Sequence, residues 1–268
     1  MKVMLWICNE GNQRALAAKV HAAFPLAGVI TETRQSKRDY SIKNLTQKVV
    51  EKIFLNEVGK AWWGMQLNYR QQYPELPQVP TLDVENINSE EAFQFTNKIK
   101  PDLILVSGTR LVKEKMLSIQ PSIGILNLHT GLSPYIKGGP NCTNWCLATK
   151  QYHLIGNTIM WIDLGIDTGN ILTTEFTPLN GNESLDVLHM KVMEHAHNLY
   201  VRAVSFLSTG QKQSVPQKEI AKGTTYYTKQ WTLQQKFALT RNFKGLQPYY
   251  QSGKLETDRI GVKTISLP

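Results

Sequence analysis

The chain opens on an unbroken apolar run from Val3 to Cys8, which reads as a strand covered on both faces, since a half-exposed strand would alternate polar and apolar positions. A polar stretch from Asn9 to Gln13 follows, then an Ala-, Leu- and Val-rich helical pattern to about Phe24, and Val29 to Thr31 reads as the next strand. Strand, helix, strand in that order predicts a parallel sheet with crossover helices. From Arg34 to about Pro80 the rhythm changes. Val49, Val50, Ile53, Phe54 and Val58 stand at helical spacing, and Trp62, Trp63, Met65 and Tyr69 form an aromatic cluster. This predicts a mainly helical insertion, either a lid over a ligand cleft or packing against the sheet.

The alternation resumes at Ser89, which caps a helix through Ile99. Asp102 to Val106 reads as a strand, Lys113 to Ile119 as a short helix and Gly124 to Leu128 as a strand, with Pro101 and Pro121 at the helix-to-strand joins. Thr158 to Ile162 and Ile171 to Phe176 are β-like. Ser184 to about Leu207 is a long amphipathic helix with Leu185, Leu188, Val192, His195, Leu199 and Ala203 along one stripe. Past Gly210 the chain is polar, with a strand at Gly223 to Thr228 and a helix at Leu233 to Thr240. The expected architecture is α/β: a Rossmann-like domain with a mostly parallel twisted sheet over residues 1–208, a helical insertion at about 34–80, and a small C-terminal extension, 209–268.

Of 268 residues, 41% are hydrophobic and 19% charged, which excludes disordered, collagen-like and coiled-coil classes. No run approaches the ~20 apolar residues of a membrane span, and the N-terminus lacks a signal-peptide pattern, so a cytoplasmic protein with no membrane partner is expected. Cys8, Cys142 and Cys146 fit neither a disulfide framework nor zinc-finger spacing; they read as buried structural thiols, with no metal expected. Lys+Arg number 30 against 21 Asp+Glu, a net charge of +9. The cations are spread (Lys43, Lys48 and Lys52; Lys113 and Lys115; Lys212, Lys218, Lys222 and Lys229) with no arginine-rich arm, so charge alone leaves nucleic acid and a phosphate-bearing small substrate both open.

Candidate chemistry starts at His129. It ends the strand beginning at Ile123, two residues after Asn127, so the pleat puts both side chains on one face at the strand's C-terminal end, where open α/β sheets bind ligands. Bonding of the pair to the adjoining loop is the plainer alternative, equally weighted on the pair alone. A Gly- and Pro-rich loop follows, Thr130 to Asn141, and Ile162-Asp-Leu-Gly-Ile-Asp-Thr-Gly169 separates two strands. The latter carries two carboxylates and backbone groups suited to a planar heterocycle, or it is simply a tight turn. An amide, an imidazole and a carboxylate suit attack of an amine on an activated acyl group: Asn127 as oxyanion donor, His129 as proton acceptor, Asp167 orienting the imidazole or a water.

Asn127-Leu-His129 with Leu132-Ser-Pro134 and Lys137-Gly138, then Gly156-Asn-Thr-Ile-Met160 and Asp163-Leu-Gly-Ile-Asp-Thr-Gly169, resembles the formyltransferases that use 10-formyltetrahydrofolate, closely over residues 100–180 and loosely over 1–205. The resemblance implies that Asn127, His129 and Asp167 are the family's catalytic set. It implies a folate pocket built from Gly108, Arg110 and Leu111 together with Ile162, Asp163, Leu164, Gly165 and Ile166. This chain departs from the pattern in having Lys137 where many relatives carry Arg, and two additional residues between His129 and Gly156; both fall on the acceptor side.

Three acceptors compete. Methionyl-tRNA suits the charge, but the tail is shorter than that family's RNA-binding domain, so nucleic acid is not the expected partner. Glycinamide ribonucleotide is suggested by Asn12 in a helix-opening loop similar to that enzyme's phosphate loop, although a capped helix start explains the loop as well. The expected acceptor is a nucleotide-linked amino sugar of surface-polysaccharide biosynthesis, because Cys142-Thr-Asn-Trp-Cys-Leu147 and Gly223 to Trp231 resemble segments of those sugar N-formyltransferases. Asn12, Lys137, Gly138, Asn144 and Trp145 are then the expected acceptor contacts. A formyl-folate hydrolase is the alternative of another class, and the polar C-terminal segment offers an edge for a homodimer.

Overall fold

The computed structural model describes residues 1–34 and 49–268. Lys43, Lys48 and the first part of the expected insertion lie outside the described residues. β1 (Val3–Cys8) leads through α1 (Gly11–Ala23) to β2 (Leu26–Glu32), and α2 (Asn56–Gln72) connects to β3 (Thr81–Val84). Then come α3 (Glu90–Ile99), β4 (Leu103–Ser107), α4 (Glu114–Leu117) and β5 (Gly124–His129). β6 (Ile136–Gly138), α5 (Cys142–Ala148), β7 (Gly156–Trp161), β8 (Ile171–Phe176) and α6 (Leu185–Ser208) follow. The last part holds β9 (Thr224–Tyr226), α7 (Leu233–Phe243), α8 (Leu246–Gln251) and α9 (Lys254–Ile260).

Seven strands form one sheet in the order β3-β2-β1-β4-β5-β7-β8. The first five run parallel; β7 pairs antiparallel with both β5 and β8. α1 and α6 cover one face through Leu16, Val20, Leu199 and Val204, while α3 and α4 cover the other through Ala92 and Met116. Because β2 and β3 are parallel, the chain between them must cross over, and α2 belongs to that crossover. It buries Ala61, Met65 and Tyr69, and turns Trp62 and Trp63 toward the cleft, so the aromatic cluster both packs and lines. β3, β6 and the short α5, α8 and α9 were not foreseen; runs of three to seven residues are too short to show a period.

One side chain braces the sheet directly below the site. The Tyr200 hydroxyl, fully buried on α6, accepts from Val106 N–H at 2.9 Å and donates to Leu126 C=O at 2.8 Å. It sits between β4 and β5 one residue before Asn127, where the strands begin to part.

α6 also buries two neutral histidines. Burial pushes His189 down to about 4 from 6.5, with Asp186 opposing, and His197 down to about 3 from 6.5, with Lys19 adding to the effect. Their neighbours are aromatic: the edge of Trp62 on His189 and the Tyr69 ring on His197. In the unfolded chain both protonate near pH 6.5, whereas in the fold they resist it. Stability is therefore complete above pH 6.5 and falls as the pH drops toward 4, by on the order of 3 kcal/mol for each ring. Urea unfolding at a series of pH values is expected to show this loss, and His197→Phe to shrink it; an unchanged acid slope in that variant would remove the ring from the account.

Candidate active site

The cleft opens where the C-terminal ends of β1, β2, β4 and β5 meet, on the side of the sheet where the strand order turns back on itself between β1 and β4. Asn127 and His129 stand two residues apart on β5, opposite Met160 and Thr158 of β7. The third polar residue arrives from the β7–β8 loop. Asp167 has φ 51°, a left-handed conformation that Asp tolerates better than most residues, and this turns its carboxylate inward. One oxygen accepts from Asn127 Nδ2 at 3.2 Å, and the other accepts from the Gly138 amide at 3.0 Å and lies 3.4 Å from His129 Nδ1. The last separation is longer than a tight hydrogen bond.

With Nδ1 facing a carboxylate, the network favours the proton on Nδ1 and the lone pair on Nε2. On that side the Cys142 thiol lies 3.4 Å from Nε2. Gly131 lies so close that a Cβ there would approach Nε2 to 2.5 Å, so residue 131 leaves room beside Nε2 only as glycine. Burial, then Cys146 and Asp167, raise the Cys142 thiol well above its usual range, and burial assisted by Glu10 pushes Cys8 up to about 12. All three cysteines are free and buried.

Two cavities share Asn127, Asp167, Gly138, Gly108 and Thr109 as a common wall. The smaller, about 340 Å³, is lined by Val106, by Gly108 to Val112, and by Met160 to Gly169 apart from Leu164. Of the expected folate contacts, Gly108, Arg110, Leu111, Ile162, Asp163, Gly165 and Ile166 line it, while Leu164 is 61% exposed and turned out. The larger, about 580 Å³, is lined by Cys8 to Gln13, Glu32 to Arg34, Trp62, Trp63, Arg70 and His129, apart from Gly11.

The expected acceptor contacts divide. Asn12 and Gly138 line the larger cavity. Asn12 is already engaged: Gln66 of α2 accepts from its N–H at 3.1 Å and donates to its Oδ1 at 3.0 Å, so α1 begins against α2. Lys137 instead binds Gln217 Oε1 at 3.1 Å. Asn144 lines neither cavity, its N–H donating to the cap residue Asn141. Trp145 is a core residue, stacked at 4.1 Å on Tyr226 and donating to Gly139 C=O. Trp145 packs α5 against the C-terminal extension through Tyr226 and Trp231. Arg34, Arg70, Glu10 and the two tryptophans were missed as lining residues, since only the α2 crossover brings 62–70 beside β1.

Glu32, 1% exposed, holds the two cavities in register. Burial opposes its charge, but amide hydrogen bonds from Ile87 and Arg110 and the guanidinium groups of Arg34 and Arg110 outweigh that and hold the carboxyl below its usual range. Arg34 then faces one cavity and Arg110 the other. Glu10 behaves oppositely: burial raises it, with Arg34 and Arg70 only partly compensating.

Fold and cleft define an α/β protein with two ligand cavities meeting on an Asn/His/Asp cluster at the sheet's switch point. The formyl transferase family model matches residues 29–204, and the chain belongs to that family. Methionyl-tRNA formyltransferase of Syntrophus aciditrophicus is 33% identical over 142 residues, 53% of this chain and 45% of its own. The chain thus spans about half the length of the curated relatives it matches. In fold it is similar to a sugar N-formyltransferase from Shewanella sp (TM-score 0.55, 16% identity, 90% of this chain and 88% of that one). It is equally similar to phosphoribosylglycinamide formyltransferase from Anaplasma phagocytophilum (TM-score 0.56, 16% identity, 85% and 98%).

Proposed function

We propose that this chain transfers the formyl group of 10-formyltetrahydrofolate to the amine of a nucleotide-linked amino-deoxy sugar. The observation that carries the reading is the common wall, because a two-substrate transfer needs two sites whose reactive ends meet at the catalytic groups. The smaller cavity suits a pterin, with backbone N–H and C=O groups of the 162–169 loop along its edge. The larger offers Trp62 and Trp63 for stacking on a base and Arg34 and Arg70 for phosphate oxygens.

In this reading the amine attacks the formyl carbon at the common wall. Asn127 donates through Nδ2 to the oxyanion as it develops. His129 takes the proton that the amine loses as the new C–N bond forms, and folate N10 gains a proton as its bond to the formyl carbon breaks. Asp167 keeps the imidazole oriented and offsets its positive charge.

A second reading, methionyl-tRNA as acceptor, is favoured by the names of the curated relatives. One assay separates them: release of tetrahydrofolate from 10-formyltetrahydrofolate with amino-sugar nucleotides, methionyl-tRNA or glycinamide ribonucleotide as acceptor. Turnover on a sugar nucleotide alone is expected. Turnover on methionyl-tRNA alone would replace the sugar reading, and formate release without any acceptor would point to hydrolysis.

A further inference from the structure

Asp167 holds a left-handed backbone conformation in a loop that Asp163 braces from within, its Oδ1 accepting from the Gly165 amide at 3.0 Å and the Thr168 hydroxyl at 2.7 Å. A further brace comes from the C-terminal extension. Gln217, 8% exposed, donates from Nε2 to the carbonyl oxygens of Asp167 and Gly169, each at 2.8 Å, so one amide spans the loop on both sides of Thr168. Its own carbonyl oxygen is held by Lys137 Nζ at 3.1 Å. The segment that delivers Gln217 is itself registered, since Val215 and Ile171 exchange two backbone hydrogen bonds at 2.8 and 2.9 Å at the start of β8.

A second contact reaches Asp167 from the same extension. β9 pairs with β6, and Gly138, at φ 91°, lies so close to Tyr226 C=O that a Cβ would approach it to 2.0 Å. The Gly138 amide pinned there is the one that donates to the Asp167 carboxylate. The extension therefore grips the residue at both ends: main chain through Gln217, side chain through Gly138.

We infer that Gln217 is a positioning residue for Asp167, and that Lys137 acts in the same relay rather than on the acceptor. The inference deepens the proposed mechanism and rests on Asp167 having the role given there. Its consequence is that residues 209–268 are part of the catalytic apparatus and not an appendage.

The test uses two near-isosteric variants. Gln217→Met removes the donors at similar volume; Gln217→Glu keeps the shape but faces two carbonyls with a carboxylate. The first readout needs no acceptor: the His129 ring ¹⁵N resonances of the full-length protein, compared with those of Asp167→Asn. In both Gln217 variants they are expected to move toward the Asp167→Asn positions with unchanged amide dispersion elsewhere. The second readout is turnover on whichever acceptor the wild type uses. Gln217→Met is expected to lower kcat by about tenfold or more with KM within about threefold, and to add little in an Asp167→Asn background, as for groups acting as one unit. His129 resonances left at their wild-type positions in a folded Gln217 variant would overturn the inference. So would a kcat loss fully additive with that of Asp167→Asn. Shifted resonances with no turnover on any acceptor would support the positioning while removing the mechanism.

Discussion

Asp167→Asn is expected to lower formyl transfer by about 10²- to 10⁴-fold with the fold intact. Asn is the informative replacement because it also tolerates the left-handed backbone at φ 51°, so the loop keeps its course. Its amide oxygen can still accept from either Asn127 Nδ2 or the Gly138 amide, which now hold the two carboxylate oxygens. What disappears is the negative charge 3.4 Å from His129 Nδ1, and with it the stabilisation of the imidazolium that forms as the amine loses its proton. Asp167→Ala should lose more, since it also strains the loop and leaves Asn127 without that partner. The measurement is single-turnover formyl transfer beside thermal unfolding. A rate for Asp167→Asn within threefold of wild type would take the carboxylate out of the mechanism.

Asn127→Ala is expected to lower kcat by about 10²- to 10³-fold, the cost of one oxyanion donor, while KM for either substrate stays within a few-fold. Asn127 stands on the rigid C-terminal end of β5, directly after the Leu126 carbonyl that Tyr200 holds, and it forms part of the wall between the cavities. One Nδ2 hydrogen is engaged by Asp167; the other has no hydrogen-bond partner among the described residues and would serve the reacting oxygen. Because the donor acts where charge develops, its loss should fall on kcat. A variant whose defect lies wholly in KM would make Asn127 a binding residue instead.

Much of this was legible along the chain because it is local. Val3 to Cys8, Leu103 to Ser107 and Gly124 to His129 are apolar runs bounded by polar or Gly/Pro punctuation, and Ser89 accepts from Ala92 N–H as its position ahead of a helical pattern implies. Asn127 and His129 share a face because pleating has a period of two. By contrast, the reversed direction of β7, antiparallel to both β5 and β8, leaves no mark on an individual apolar run, since direction is set by the partner strand.

The acceptor side shows where local reading fails. Trp145 and Lys137 carry the kind of side chain that binds nucleotides, yet Tyr226 stacks on the first and Gln217 takes the second, both from more than seventy residues downstream. Trp62, Trp63 and Arg70 look like an ordinary amphipathic helix until its packing against α1 and α6 sets one edge against the ends of β1 and β5. The sequence by itself determined the strands other than the short β3 and β6, the α/β class, and the Asn/His pair with a carboxylate-bearing loop to follow, because each depends on periodicity or on neighbours within a few residues. The tertiary structure alone decided which side chains face a ligand and what holds Asp167 in place, because those depend on contacts whose closure across long stretches of chain leaves no local pattern to read.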